Sequence, residues 1–304
     1  MKKVTQLFLT FMLCSLTTIY AQQEPQYTQY MYNMSIINPA YMTNDLSLIQ
    51  VGSLYRTQWV GIKAAPKTAN VFAQIPLTER IEVSINYLND NIGEKVSLNE
   101  NVYNINAAYK IMLKNNLNVS FGLKVGTTHL SANYWQSNIA TPEYNGPSKT
   151  NVNIGAGVFV FKKQFYVGLS TPNLIPSKLE SNDIAYQSKA HTFLMGGYVF
   201  DINNDIKLKP ATVIKHTNGA PLSFDVSINT LLYKRFEAGV AYRYQDAVSA
   251  LIGFKVTPSL KLGYAYDFTT NDLNEYSSGS HEFILLYTFD VLGLNKKYDS
   301  PRFY

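Results

Sequence analysis

The chain is 304 residues long, enough for one large all-β domain or two average ones, and its net charge of +5 implies no nucleic-acid partner. Only 15% of its residues are charged, against about a quarter in ordinary soluble domains, yet its mean hydropathy is far from that of a helical membrane protein. This balance argues against both classes and fits a barrel whose strands alternate lipid-facing with lumen-facing side chains, and Tyr is unusually common at 23 residues.

The chain opens on a secretory signal: Lys2 and Lys3, an apolar stretch from Val4 to Leu16, then polar residues up to Tyr20 and Ala21. Residues 1–21 are expected to be cleaved, because the apolar stretch is broken by Thr5, Gln6, Thr10 and Ser15 and is too short to span a bilayer. Cys14 is the only cysteine and lies in this segment, so the mature chain forms no disulfide. A lipidated Cys14 would put bulky Leu13 where a small residue normally stands. Residues 22–46 come next, expected as a periplasmic segment or a possible plug.

Residues 47–290 are expected to form the barrel. Period-two alternation dominates: Leu117, Val119, Phe121, Leu123 and Val125 interleave with Asn118, Ser120, Gly122, Lys124 and Gly126. One face suits lipid and the other is small and polar. The same arrangement recurs from Leu222 to Ile228, from Phe236 to Tyr244 and from Leu260 to Phe268. It predicts strands over 47–57, 68–76, 81–89, 100–111, 117–128, 151–161, 165–170, 191–200, 206–216, 222–233, 236–244, 248–257, 260–268 and 281–290.

The predicted fold is thus a transmembrane antiparallel outer-membrane β-barrel of about 14 strands. Connections after even-numbered strands are brief, whereas His129 to Thr150 and Thr171 to Ala190 are long; bacterial barrels place short turns in the periplasm and longer loops outside. Most prolines fall in connections or at strand ends, Pro142 and Pro147 among them, but Pro210 falls inside the ninth strand. Residues 291–304, with Lys296, Lys297 and Arg302, are expected as a periplasmic C-terminal tail.

Several segments carry a family resemblance. They are Ile37-Asn38-Pro39-Ala40-Tyr41, Tyr55-Arg56-Thr57-Gln58-Trp59-Val60-Gly61, Ala65-Pro66-Lys67-Thr68 and Asn89-Asp90-Asn91-Ile92-Gly93. Later come Ala241-Tyr242-Arg243, Gly263-Tyr264-Ala265-Tyr266-Asp267, Gly279-Ser280-His281-Glu282 and Ser300-Pro301-Arg302-Phe303. In order and spacing they resemble the PorP/SprF family of type IX secretion system membrane proteins from Bacteroidetes. The resemblance implies an outer-membrane protein that works with type IX secretion components, or pairs with a secreted surface protein such as a gliding adhesin. It marks Asn38, Pro39, Arg56, Trp59, Asp90, Arg243, Asp267, His281 and Arg302 as motif or partner-facing positions. The sequence departs from the family at Met42-Thr43-Asn44, where a small residue and Gly commonly follow the Tyr.

Enzymatic chemistry finds no foothold in the residues. Ser280-His281-Glu282 invites a triad, but adjacent strand residues point to opposite faces. No His or carboxylate group has metal-ligand spacing, and Gly155-Ala156-Gly157 lacks the third glycine of a dinucleotide site and reads as a lumen-side kink. No cofactor is expected. Trp59 is expected in the interfacial aromatic girdle, while Arg56 either serves a docking or plugging loop or pairs with a lumen carboxylate. Three functions follow in order: a non-enzymatic barrel supporting export or anchoring of a partner, a diffusion porin for small solutes, and a barrel enzyme.

Overall fold

The computed structural model describes residues 26–94, 96–135, 143–181 and 185–290. The signal segment and the C-terminal tail with Arg302 lie outside the described residues.

Fourteen antiparallel strands close into a barrel. In chain order they are β1 (Leu48–Thr57), β2 (Lys67–Pro76), β3 (Ile81–Ile92), β4 (Val96–Met112), β5 (Asn118–Trp135), β6 (Glu143–Phe161), β7 (Phe165–Thr171), β8 (His191–Tyr198, resuming at Phe200–Asp201), β9 (Ile206–Thr217), β10 (Ser223–Leu232), β11 (Phe236–Arg243), β12 (Ala247–Lys255), β13 (Leu260–Thr269) and β14 (Ser280–Asp290). Each pairs with its sequence neighbours, and β1 closes the sheet on β14 in a ladder from Leu48↔Asp290 to Thr57↔His281. Closure leaves no free sheet edge, the condition for a sheet to cross lipid.

The alternation predicts the faces of the wall. Phe121, Leu123 and Val125 point outward and are exposed, as are Val226, Ile228, Phe283 and Leu285. Aromatic rings gather on the outer surface at two levels: Tyr109, Phe121, Phe236 and Phe254 near the short turns, and Tyr87, Tyr103, Phe224 and Tyr244 near the long loops. This is the double girdle of a membrane-spanning barrel.

Four features differ from the sequence reading. First, the long connection expected over 129–150 is mostly strand, since β5 runs on to Trp135 and β6 begins at Glu143. A strand needs only about 9–11 residues to cross lipid, so these two project well beyond it, where the outward face carries polar Ser131 and Asn133 and the apolar residues Leu130 and Ala132 turn inward. Second, Pro147 lies inside β6 rather than in a connection. The β5–β6 register shifts between Ser131 and Asn133 beside it, so the missing N–H falls at a bulge.

Third, Pro210 is accommodated in β9. The β8–β9 ladder is interrupted opposite it, between Gly197↔Ala211 and Phe200↔Leu208, while Pro210 stays in register with Ile228 on β10. Fourth, the lumen is not merely small and polar. Leu54, Phe72, Phe159, Tyr166, Met195, Ile284 and Leu286 all point inward and are buried. What they bury against is residues 28–43.

Candidate functional site: the threaded lumen and its mouth

Residues 28–43 run through the barrel interior. Gln26 lies among the odd-strand connections, at the long-loop end, and Thr43 and Asn44 lie at the short-turn end, from which β1 rises. The described part of the segment expected as periplasmic or as a plug therefore sits inside the lumen. Two 3-10 turns, Tyr30–Tyr32 and Met34–Ile36, compact it. Both faces of the segment meet apolar wall. Tyr30, Met34, Ile37 and Tyr41 pack with Phe159, Phe161, Tyr166, Met195 and Val213, and Met31 and Tyr32 pack with Leu54, Phe72, Leu251, Ile284 and Leu286. Burial of this kind is worth about 25 cal/mol per Å² of apolar surface and is the main force holding the segment in place.

Polar contacts set its register. Near the mouth, Glu282 accepts from the Thr28 amide at 3.0 Å and the Gln29 amide at 2.7 Å, and the Thr28 hydroxyl donates to Asp267 at 2.8 Å. Arg56 lies between these carboxylates, 2.7 Å from Asp267 and 3.2 Å from Glu282, with all three side chains at most 3% exposed. Arg243 pairs with Asp225 at 3.0 Å and Asp246 at 3.4 Å, and donates to the Tyr27 carbonyl at 3.5 Å.

Deeper in, Asn33 donates to Asn70 at 2.8 Å and Asn86 at 2.9 Å, and Asn106 donates to the Ser35 carbonyl at 2.9 Å. Tyr32 donates its hydroxyl to Glu237 at 2.6 Å, Glu237 pairs with Lys261, and the Lys261 ammonium stands 4.3 Å from the Tyr32 ring centroid. At the short-turn end Glu82 takes the Thr43 amide at 2.8 Å, and Lys110 donates to Asn44.

The Asn38-Pro39-Ala40 turn has a groove of its own. The Asn38 side chain accepts from the Ala40 amide at 2.9 Å and donates to the Val158 carbonyl at 3.1 Å. Ser120 donates to the Ala40 carbonyl and Ser170 to the Ile37 carbonyl. A Cβ on Gly122 would collide with the backbone of Pro39 and Ala40, and one on Gly157 or Gly168 would strike the Asn38 carboxamide. Glycine is needed there because another backbone approaches closely. The expected kink at Gly155-Ala156-Gly157 is instead regular strand: Gly155 makes room for Pro172 and Gly157 for Asn38.

The motif residues thus separate by place. Asn38 and Pro39 lock the segment to β5, β6 and β7. Arg56, Arg243 and Asp267 converge near Thr28. Asp90 accepts from Thr68 at 2.5 Å and lines the mouth cavity, which is about 490 Å³. Trp59 also lines that cavity, in the first long-end loop, rather than standing in the lipid-facing girdle. His281 faces away from Ser280 and Glu282, its Nδ1 lying 2.7 Å from the Tyr264 hydroxyl. Sequence reasoning missed Glu282, Glu237, Lys261 and Glu82 as anchors. The available signal was a charged residue on the lumen face of a strand, which demands a partner from elsewhere.

Among the described residues, no three His, Cys, Asp or Glu side chains stand together as a metal site. The cavities at the short-turn end, about 320 and 80 Å³, share no lining residue with the mouth cavity or with the recess of about 110 Å³ beneath it.

The family model for the type IX secretion system membrane protein PorP/SprF matches residues 19–287, which span the threaded segment and nearly all of the wall. The chain belongs to the PorP/SprF family. Solved structures similar to this PorP/SprF chain are outer-membrane barrels of low identity. The CymD monoaromatic hydrocarbon channel superposes with a TM-score of 0.55 at 12% identity, over 84% of this chain and 92% of that one. The toluene transporter TbuX of Ralstonia pickettii gives 0.53 at 8% identity, over 84% and 93%. A Pseudomonas aeruginosa FadL homologue gives 0.51 at 12%, over 84% and 94%. At such identity the likeness is one of fold. No curated protein sequence matches the chain. Family and fold together make this PorP/SprF member an outer-membrane protein.

Proposed function

We propose that this barrel is a non-enzymatic accessory of the type IX secretion system that supports secretion or surface anchoring of a partner protein, and that it does not serve as a diffusion pore. Membership in the PorP/SprF family supports the export role. The observation that carries the second half is the lumen: residues 28–43 fill it, bonded to carboxylates and carboxamides around the wall. A barrel whose interior is packed with its own chain offers solutes no water-filled path, so its working surface is the mouth and the loops around it.

Conductance in planar bilayers tests the closed lumen. The wild-type protein is expected to give no steady current, and a variant lacking residues 28–43 to give one; a steady open pore from the wild type would sink this reading in favour of the porin. Affinity purification from outer membranes tests the partner. A secreted surface protein or a type IX component is expected to co-purify.

A further inference from the structure

The lumen is a site that binds polypeptide, because one stretch of chain already occupies it. Its means are carboxamides and hydroxyls on the wall that bond carbonyls and a carboxamide of residues 28–43, and carboxylates that accept its amides, with apolar side chains filling the gaps. Above the Tyr30–Ile37 stretch, toward β3–β9, that chemistry continues around a recess that the segment leaves empty.

The recess holds about 110 Å³ and opens into the 490 Å³ mouth cavity, with which it shares Gln26, Glu100, Ser223 and Arg243. Ile36 and Ile37 form its floor with Val102, Phe193 and Val213 around them, and Asn86, Asn104, Asn153 and Asn173 stand on its sides. Lys124, Lys215 and Asp225 also line it, so a basic flank is directed away from the recess and up into the mouth. Asn153 is 3% exposed, and its Nδ2 donates to Asn104 at 3.1 Å, but its Oδ1 accepts no hydrogen bond. A buried acceptor left beside a cavity awaits a donor. A cavity of roughly 150 Å³ holds benzene, so the recess suits one bulky apolar side chain, with amide or hydroxyl groups beside it. The mouth above presents four carboxylates, Asp90, Glu100, Asp246 and Asp267, against two guanidiniums, Arg56 and Arg243.

We propose that this recess is a second peptide site, which takes an extended stretch of the secreted partner carrying one bulky apolar side chain flanked by a Lys or Arg. It rests on the partner role proposed above and names where the partner enters. The apolar side chain fills the space over Ile36 and Ile37, a main-chain amide donates to Asn153, and the basic flank meets the acidic mouth. The segment 28–43 then has two roles, closing the barrel and forming the floor of the site.

Photocrosslinking in living cells tests this. In the full chain, an aliphatic diazirine amino acid about the size of leucine, small enough to leave the recess open, replaces Val102, or in a second strain Phe193, and Val125 on the lipid face serves as control. Irradiation is expected to join the recess positions, but not position 125, to a secreted polypeptide, at a stretch mass spectrometry maps as apolar with a basic flank. Asn153→Trp, which fills the recess, is expected to cut that adduct at least tenfold while the protein still migrates as a folded barrel, and Asn153→Leu to cut it severalfold. Adducts only to glycan, lipid or this chain's own residues would overturn the proposal, as would a polypeptide adduct indifferent to both Asn153 variants. If Gln58 at the mouth crosslinks to a secreted protein and neither recess position does, the site is refuted while the partner role stands. If no position crosslinks and no protein co-purifies, both fall.

Discussion

Arg56 and Glu282 stand in register across the seam where the first strand meets the last, guanidinium to carboxylate at 3.2 Å, and the same carboxylate takes the amides of Thr28 and Gln29. Barrel closure and threading of the lumen are therefore joined at one group. Glu282 is fully buried, so its charge depends on Arg56 and the two amides together.

Removing the cation tests that dependence. Arg56→Ala leaves Asp267 and Glu282 buried side by side without their counter-ion, and breaking a buried pair from one side costs about 3–5 kcal/mol. Urea unfolding of the detergent-refolded barrel should show that loss. Arg56→Lys should recover only part of it, because an ammonium lacks the planar fork that reaches both carboxylates; full recovery would mean that charge alone matters.

The groove for Asn38-Pro39-Ala40 makes a sharper demand on shape. Gly122→Val puts side-chain atoms where the backbone of residues 39 and 40 lies, so the segment must leave its groove although the strand itself favours Val. Proteolysis should then cut within residues 26–46, and bilayer recordings should show current. Gly196→Val is the matched control, since its Cβ meets only the Tyr166 carbonyl at 3.5 Å and a Val167 methyl at 3.9 Å. Equal behaviour of the two variants would refute the groove.

Tyr32 allows a milder perturbation. Tyr32→Phe keeps the ring over Lys261 but loses the 2.6 Å hydroxyl bond to Glu237. A hydrogen bond to a charged group is worth about 1.5–3 kcal/mol. The unfolding midpoint should fall accordingly with the lumen still closed to ions, and an unchanged midpoint would show that Lys261 alone satisfies Glu237.

Depth in the membrane can be read from the outer surface of β5. Leu123→Lys places a charge on the lipid face in the middle of the wall and should cost about 2–4 kcal/mol, whereas Ser131→Lys, eight residues farther along the same strand, should cost about 0–1 kcal/mol. Equal costs would mean that the projecting part of β5 also lies in lipid.

All fourteen strands were legible because lipid on one side imposes a hydropathy contrast at every second residue. Beyond lipid the outward face is no longer apolar, so the outer halves of β5 and β6 looked like loop: Ser131 and Asn133 now stand on the outward parity, and Leu130 and Ala132 turn inward and are buried. Residues 28–43 carry no periodicity, because a segment enclosed by a barrel is buried on all sides and its polar groups are satisfied by whichever wall residue lies opposite. Arg56, Arg243 and Asp267 stood out by motif alone, while Glu237 and Lys261 looked like ordinary lumen-face polar residues.

The sequence by itself determined the wall, its faces and its even count, since those follow from contacts between near neighbours and from the solvent on each side. Only the tertiary structure decided what fills the lumen. Thr28 and Glu282 are 254 residues apart, and no local pattern links them. They meet because closing the sheet turns every lumen-facing side chain toward one enclosed volume, where a buried charge must find a partner however distant in sequence.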